Sequence, residues 1–148
     1  MTAARLRFAV ALLLFLGWLG WLALAVAKKG DPVLSRAQLL SATHLVYAEV
    51  TLGEDGMPAP TARVVEALRG AGLGLTVEVA NLPSALPAGA KTFPGPGTYL
   101  LPLVGDGKGY RVAGLPRSPG YEPAEPSRPV IYAATEATRA QVRKLLAP

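Results

Sequence analysis

The stretch HLVYAEVTL, residues 44–52, decides the fold of this chain. It is rich in the β-branched, aromatic and aliphatic residues that form strands, and it stops at the turn-prone GEDGMPAP, residues 53–60. We therefore predict a strand followed by a loop. The sequence on either side should supply the partners of that strand.

Further strands are predicted downstream of this loop. TARVVEALRG, residues 61–70, fits a helix or a strand by periodicity, and its paired valines and closing glycine favour the strand. LTVEVAN, residues 75–81, alternates cleanly between apolar and polar positions. TYLLPLV, residues 98–104, leads through GDGKG into YRVAG, residues 110–114, which is the clearest hairpin in the chain. VIYAA, residues 130–134, adds a brief strand.

Short helices are predicted on both sides of these strands. Ser35-Arg36-Ala37-Gln38 matches a capping box, in which the Ser hydroxyl accepts an amide hydrogen and the Gln side chain reaches back, and it precedes a helix over residues 36–43. A second helix is expected over residues 135–146, with Thr135 as its cap. The residues expected on the core-facing side of this second helix are Val142, Leu145 and Leu146.

The order of these elements favours a mainly β (α+β) domain. Five or six short strands with flanking helices predict a small, mostly antiparallel β barrel or sandwich, in which closure of the sheet avoids exposed edges. The phrases THLVYAEVT, ARVVEALRG, LTVEVANLP, GTYLLPLV and GYRVAG, within residues 42–114, resemble bacterial envelope proteins with an OB-type, netrin/TIMP-like module. The resemblance implies an OB-like barrel. It does not extend to inhibitor activity, since the cysteines of the animal modules are absent. The whole layout also resembles small single-pass bacterial membrane proteins.

The amino-terminal segment is long and apolar enough to cross a bilayer. Residues Phe8 to Ala27 carry no charge, and as a helix they extend for about 30 Å, the thickness of the hydrocarbon core. Lys28 and Lys29 follow at once and can extend their ammonium groups to the lipid headgroups. Ala25-Val26-Ala27 also has the form of a cleavage site, so the alternative is a secreted chain that begins at Lys28. We predict retention of the segment.

This segment divides the chain into a signal-anchor over residues 1–30 and an extracytoplasmic β-rich domain over residues 31–148. The expected location is a cell membrane, with a single pass and the carboxyl-terminal domain outside, and the lipid bilayer is therefore a predicted partner. Trp18 and Trp21 lie in the middle of the span, where they contact either lipid or a partner helix.

Composition restricts the classes of function. Four of the 15 basic residues flank the apolar run, which leaves 11 against 10 acidic residues without clustering, so nucleic-acid binding is not expected. With no cysteine and one histidine, no metal site and no cofactor are predicted. The acidic residues Glu54, Asp55 and Asp106 lack the spacing of a calcium loop, and we interpret them as turn formers.

One motif suggests an enzyme but lacks the catalytic residues. YRVAGLP, residues 110–116, resembles the K-R-V-x-G-x-P-G-D box of type I signal peptidases. The lysine of that box falls on Tyr110, its Gly-Asp pair falls on Arg117-Ser118, and Gly56-Met57-Pro58 has no serine to match the nucleophile. We interpret His44, at the start of an apolar strand, as structural. The prediction is that the protein is not an enzyme, with a degenerate membrane-anchored hydrolase as an alternative.

Residues 115–129, the proline segment, are the candidate binding surface. Its five prolines recur every three or four positions and stiffen the chain, and stiff segments bind at low entropic cost. The residues expected to project from it are Arg117, Tyr121, Glu122 and Arg128. The alternative is that Tyr121 packs against the barrel and the prolines only direct a crossing loop. We predict a non-enzymatic, membrane-anchored envelope domain that binds a protein or supports an assembly through this segment or through the span.

A secreted or anchored small-ligand-binding barrel is the remaining alternative. It requires a concave aromatic patch on the folded domain. The residues that could supply this patch are Tyr47, Tyr99, Tyr110 and Tyr132.

Overall fold

The chain divides into two compact units, Met1–Asp31 and Pro32–Pro148. The structure, a computed structural model, describes residues 3–27, 33–105, 107, 109–116 and 128–147. The described residues of the second unit form a seven-stranded mixed sheet, two α-helices and a short 3-10 helix, Leu82–Ser84.

The first unit consists of one helix, α1, over Ala3–Ala27. Its Leu- and Ala-rich sequence has high helix propensity, and its central residues, 7–25, have a mean hydropathy of 2.3 with none of that window buried. The aromatic side chains Phe8, Trp18 and Trp21 are all exposed. α1 is thus long and apolar enough to span a membrane, a test that a signal sequence also passes. Lys28 and Lys29, predicted to stop the span, lie outside the described residues.

The strands of the second unit form a sheet in the order β3-β2-β1-β5-β7-β4, with β6 paired to the end of β5 beyond the reach of β7. Their bounds are β1 His44–Leu52, β2 Pro58–Arg69, β3 Thr76–Glu78, β4 Leu86–Pro87, β5 Gly97–Gly105, β6 Tyr110–Val112 and β7 Val130–Ala133. The pairs are antiparallel except that β4 and β7 are parallel. The sheet is therefore mostly antiparallel, as expected, and its parallel ladder involves β4, a strand that the sequence pattern did not predict.

The central strand β1 separates two apolar clusters. Because successive side chains of a strand point to opposite faces, Val46, Ala48 and Val50 enter one cluster. Leu45 and Tyr47 enter the other. The first, the sheet cluster, consists of Val46, Ala48, Val50, Ala62, Val77, Val79, Leu82, Ala85, Tyr99, Leu101, Leu103, Val112 and Ile131. The second, the helix cluster, consists of Leu34, Leu39, Leu45, Tyr47, Leu100, Tyr132 and Val142.

Two helices contribute to the helix cluster, α2 over Arg36–Ser41 and α3 over Glu136–Leu146. Each begins where the sequence predicts, because the hydroxyls of Ser35 and Thr135 accept amide hydrogens of the first turn. α2 ends two residues earlier than predicted. In α3, Val142 is buried as expected, but Leu146 is 40% exposed, so its assignment to the core was wrong.

The hydrogen-bonded ladders do not close the sheet into a barrel. β3 and β6 approach each other through one isolated parallel bridge between Val79 and Tyr110, supported by the bond from Ala80 N to Tyr110 O, 2.9 Å. The Asn81 side chain continues this contact: its Oδ1 accepts from Val112 N at 2.7 Å and its Nδ2 donates to Val112 O at 3.2 Å. An asparagine side chain thus pairs with β6 where a further strand residue would otherwise do so.

Candidate functional site

The buried Gln38 side chain is hydrogen-bonded to the backbone at both ends of the proline segment. Its Nε2 donates to Ala113 O at 2.7 Å and to Val130 O at 2.9 Å, and the first of these carbonyls precedes the segment while the second follows it. Its Oε1 accepts from the Tyr132 hydroxyl at 2.7 Å. One amide group therefore bonds to the two backbone positions that flank the proline segment.

The same network attaches α2 to the sheet. The Tyr132 hydroxyl accepts from Ser35 N at 3.1 Å while it donates to Gln38. The predicted capping box was therefore half correct, because the Gln38 side chain does not reach back to Ser35. Gln38 is instead fully buried, where its amide satisfies carbonyls that lie just beyond β6 and at the start of β7. Burial raises the pKa of Tyr132, and the Ser35 amide opposes that change.

Of the residues predicted to project from the proline segment, the structure describes Arg128, which is exposed. Arg117, Tyr121 and Glu122 lie outside the described residues. Leu115, at the start of the segment, is 40% exposed. The structure thus fixes the ends of the predicted binding segment and does not test its contact residues.

A second candidate surface lies between α2 and α3. We call it the α2–α3 surface and define it by Val33, Arg36, Leu40, Lys144, Leu145 and Leu146. Two adjoining grooves form it, the larger of about 470 Å³, and Arg36 and Leu145 line both grooves. Val33 is 85% exposed and Leu40 is 64% exposed. The sequence analysis missed this surface. The usable signal was Leu40, which follows the buried Leu39 in a helix of only six residues.

α2 is held rigidly in this surface from both ends. The Ser35, Gln38 and Tyr132 bonds secure its start. At its other end the Arg69 guanidinium donates to the carbonyls of Leu39 and Ala42. These bonds direct Leu39 inward, and they leave its neighbour Leu40 on the outer side.

A third feature is a cleft of about 230 Å³ between β2 and α3, which we call the tyrosine cleft. Its lining residues are Tyr47, Glu66, Leu68, Arg139, Val142 and Arg143. The Arg139 guanidinium lies 4.3 Å from the centre of the Tyr47 ring and 3.5 Å from the Glu66 carboxylate. The Tyr47 hydroxyl is buried and has no hydrogen-bond partner among the described residues. Burial raises the pKa of Tyr47, with the charge of Arg139 acting in the opposite direction.

His44 lies at the start of β1 and contacts the neighbouring hairpin. Its Nδ1 is 2.9 Å from Thr43 Oγ1, its Nε2 is 3.3 Å from Ala71 O, and its ring meets the Tyr110 ring edge-on at 5.1 Å. Gly70 is required beneath this ring, because φ is +90° there and a side chain would collide with His44. No carboxylate orients the imidazole among the contacts of the described residues, and those residues contain no cluster of three metal-ligating side chains.

The four tyrosines proposed for an aromatic patch do not form one. Tyr47 and Tyr132 belong to the helix cluster and Tyr99 to the sheet cluster, each at most 5% exposed. Tyr110 is partly buried against the sheet cluster. These side chains therefore pack inside the domain and do not supply the concave aromatic surface that the ligand-binding alternative requires.

No protein-family model matches this chain, and neither a curated protein nor a solved structure matches it significantly. Its function is therefore inferred from its own residues.

Proposed function

We propose that this protein is a non-enzymatic, single-pass membrane protein of the bacterial envelope whose carboxyl-terminal domain binds a protein partner or supports an assembly. α1 serves as the anchor in the lipid bilayer, and the domain lies outside the cytoplasm. The proline segment supplies the contact surface for the partner. Nucleic acid is not a partner, and no cofactor takes part.

The observation that carries this proposal is the attachment of both ends of the proline segment to Gln38. Ordering a flexible segment on binding costs free energy, and that cost falls when the ends are already fixed and the chain between them is rich in proline. Ala113 and Val130 are fixed by hydrogen bonds of 2.7 Å and 2.9 Å to a fully buried side chain. Fixed ends of this kind lower the entropic cost of binding a partner through the segment.

The anchoring part of the proposal is supported by α1. Its apolar window has a mean hydropathy of 2.3, none of that window is buried, and two lysines follow it in the sequence. The non-enzymatic part is supported by His44, because a general base needs an orienting partner and a nearby nucleophile of adequate reactivity. The ring nitrogens of His44 are instead directed to Thr43 and to a backbone carbonyl.

We further propose that the domain is a relative of the OB-type module, as its strand phrases suggest. An OB fold is a five-stranded, partly open Greek-key barrel. Here β3, β2, β1, β5 and β6 are joined in that order by antiparallel ladders. The Val79–Tyr110 bridge and the Asn81 side chain supply contacts between the first and last members of this series. These contacts support a partly open barrel.

Site-specific photocrosslinking in native membranes tests the binding role. The full-length chain carries the photoreactive amino acid at Tyr121 in one variant and at Val65 in the control, which is 53% exposed on β2. We expect a discrete crosslinked adduct from position 121 and none from position 65. The adduct should stay in the membrane fraction when the membranes are washed at alkaline pH. Q38L should reduce the yield of this adduct severalfold, because it removes the hydrogen bonds at both ends of the proline segment and leaves the sequence of the segment unchanged. Equal adducts from both positions, or no effect of Q38L, would contradict the proposal.

The tyrosine cleft favours a second candidate function, the binding of a small anion such as a carboxylate or phosphate. Arg139 and Arg143 line it, and the unpartnered Tyr47 hydroxyl could donate a hydrogen bond to such a ligand. Their partners Glu66 and Glu136 would have to give up the arginines. Calorimetric titration of the full chain with inorganic phosphate and with acetate tests this function. Binding that is lost in Y47F and R139Q supports it, and no binding excludes these two ligands.

A further inference from the structure

We propose that the α2–α3 surface rests on the headgroup layer of the bilayer and binds anionic phospholipid. This inference depends on the proposed anchoring of α1, and it adds a second, reversible membrane contact made by the folded domain. The contact would fix how the domain is presented to its partner.

The first argument is the apolar exposure concentrated on this surface. Val33, Leu40 and Leu146 are 85%, 64% and 40% exposed, and each lines one of the two adjoining grooves. Single exposed apolar side chains are ordinary on soluble domains, but a contiguous group with a charged rim marks an interaction surface. Interfacial membrane contacts have this composition, with apolar side chains below and basic residues around them.

The second argument is charge. Arg36 and Lys144 are exposed at the grooves, Arg69 lines the smaller one, and no described residue that lines either groove is acidic. The rest of the domain is nearly balanced in charge, so this is a local excess. Each basic residue near an anionic bilayer surface increases binding by about fivefold. The surface thus complements anionic headgroups, because basic side chains surround it and no acidic side chain among its described lining residues opposes them.

The third argument is the length of the connection. Seven peptide units join Ala27, at the end of α1, to Leu34, and an extended chain of that length reaches no more than about 25 Å. Val33 and Leu34, the first described residues of the domain, line the larger groove themselves. A weak surface contact becomes effective under such a short tether, because the local concentration of the partner surface is high.

The absence of cysteine from the chain allows a direct test with single-cysteine variants. L40C carries an environment-sensitive fluorophore on the α2–α3 surface, and L75C, from a leucine 84% exposed outside both grooves, is the matched control. Both full-length variants are reconstituted into vesicles of phosphatidylcholine alone and of phosphatidylcholine mixed with phosphatidylglycerol. Quenching by aqueous iodide and by nitroxide-labelled lipid is then measured.

We expect the label at position 40 to be shielded from iodide and quenched by the labelled lipid in the mixed vesicles, and the label at position 75 to show the reverse. The shielding should fall severalfold in phosphatidylcholine alone, at high salt and in R36E/K144E, whose folding is checked by circular dichroism. If both labels respond alike in mixed vesicles, the inference is wrong. Shielding from iodide without lipid quenching would mean that a second copy covers the surface, and it would also overturn the inference.

Alkaline washing of the same vesicles separates this failure from that of the anchoring proposal. A chain that remains with the lipid but has an exposed label at position 40 keeps its proposed anchor and loses the lipid-binding surface. A chain that the wash removes is not anchored by α1, which overturns the anchoring and the inference that rests on it.

Discussion

The two faces of the central sheet differ in how they hold the chain together. The sheet cluster is built from apolar side chains, and among its described residues the Tyr99 hydroxyl is the one polar side-chain group, bonded to Gly95 O. The helix cluster surrounds the fully buried Gln38 amide, with the Tyr132 hydroxyl bonded to it and the Tyr47 hydroxyl left unpartnered. β1 supplies residues to both faces.

The difference shows that the two faces contribute differently to the fold, one mainly to its stability and the other to its specificity. Apolar packing stabilises in proportion to the area and volume that it fills, with little preference among side chains of similar shape. A buried amide is stabilising only when specific partners meet it, so it selects one arrangement of the chain. In this domain the sheet cluster supplies stability, and the Gln38 network determines where the proline segment begins and ends.

The largest expected effect is the loss of packing in the sheet cluster. Leu101 is fully buried there, and L101A should lower the free energy of unfolding by about 2 to 5 kcal/mol. The measurement is guanidinium unfolding of the full chain in detergent, followed by the circular dichroism of tyrosine. This signal reports on the domain alone, because both tryptophans lie in α1 and all five tyrosines follow it.

The matched control for this variant is L75A, which removes the same atoms from a leucine that is 84% exposed. It should change stability by less than about 0.5 kcal/mol. Comparable losses in the two variants would contradict the assignment of the core to the sheet cluster.

The next effect is the removal of the amide on the other face. Q38L leaves the carbonyls of Ala113 and Val130 and the hydroxyl of Tyr132 buried without their partner, at a cost of about 2 to 3 kcal/mol. Hydrogen exchange should quicken most at the amides beside residues 113 and 130. A uniform change over the whole sheet would show that Gln38 contributes only general packing.

A double-mutant cycle of Q38L and Y132F isolates the contact between the two side chains. The double variant should be less destabilised than the sum of the single variants by about 1 kcal/mol, because Q38L alone leaves the tyrosine O–H without its acceptor and the double variant has no such group. Strict additivity would exclude the hydrogen bond between them.

The sheet face could largely be predicted from the sequence, because a period of two fixes both the strand and its sides. β1 has the predicted bounds, His44–Leu52, and the ambiguous stretch after residue 60 is a strand as its valines favoured. The apolar amino-terminal helix was predicted from composition alone and is seen as α1, which is long and apolar enough to span a membrane. These features depend on neighbours in the sequence, so pattern alone determines them.

The helix face could not be predicted, because its contacts join residues far apart in the chain. The carbonyls that accept from Gln38 are 75 and 92 positions away, and a local capping pattern gave the wrong partner for this side chain. Asn81 and β4 were missed for the same reason, since each pairs with a segment that follows it by about 30 residues or more. Leu146 was misplaced because helical periodicity does not show where the covering element ends.

Stability at alkaline pH tests the burial of Tyr132 in the helix cluster. The pKa of Tyr132 is raised by burial above its ordinary value of 10.0, so the unfolded chain loses this proton first as the pH rises. The contribution of the protonated Tyr132 to the free energy of unfolding is complete below about pH 10, and it is lost as the pH rises towards the pKa of Tyr132 in the folded domain. Unfolding measured between about pH 9 and pH 11 should show a shallower loss of stability in Y132F than in the unchanged chain. An unchanged slope would contradict the burial of this hydroxyl.

The smallest expected effect comes from comparing the two tyrosines of the helix cluster, Tyr132 and Tyr47. Y132F removes a hydroxyl with two partners and should cost about 1 to 2 kcal/mol at neutral pH, whereas Y47F removes a buried hydroxyl without a partner. Y47F should therefore be neutral or stabilising by about 0.5 kcal/mol, since its folded state no longer desolvates an unpaired group. The same unfolding experiment measures both variants. A loss in Y47F as large as that in Y132F would mean that the Tyr47 hydroxyl has a partner in the tyrosine cleft.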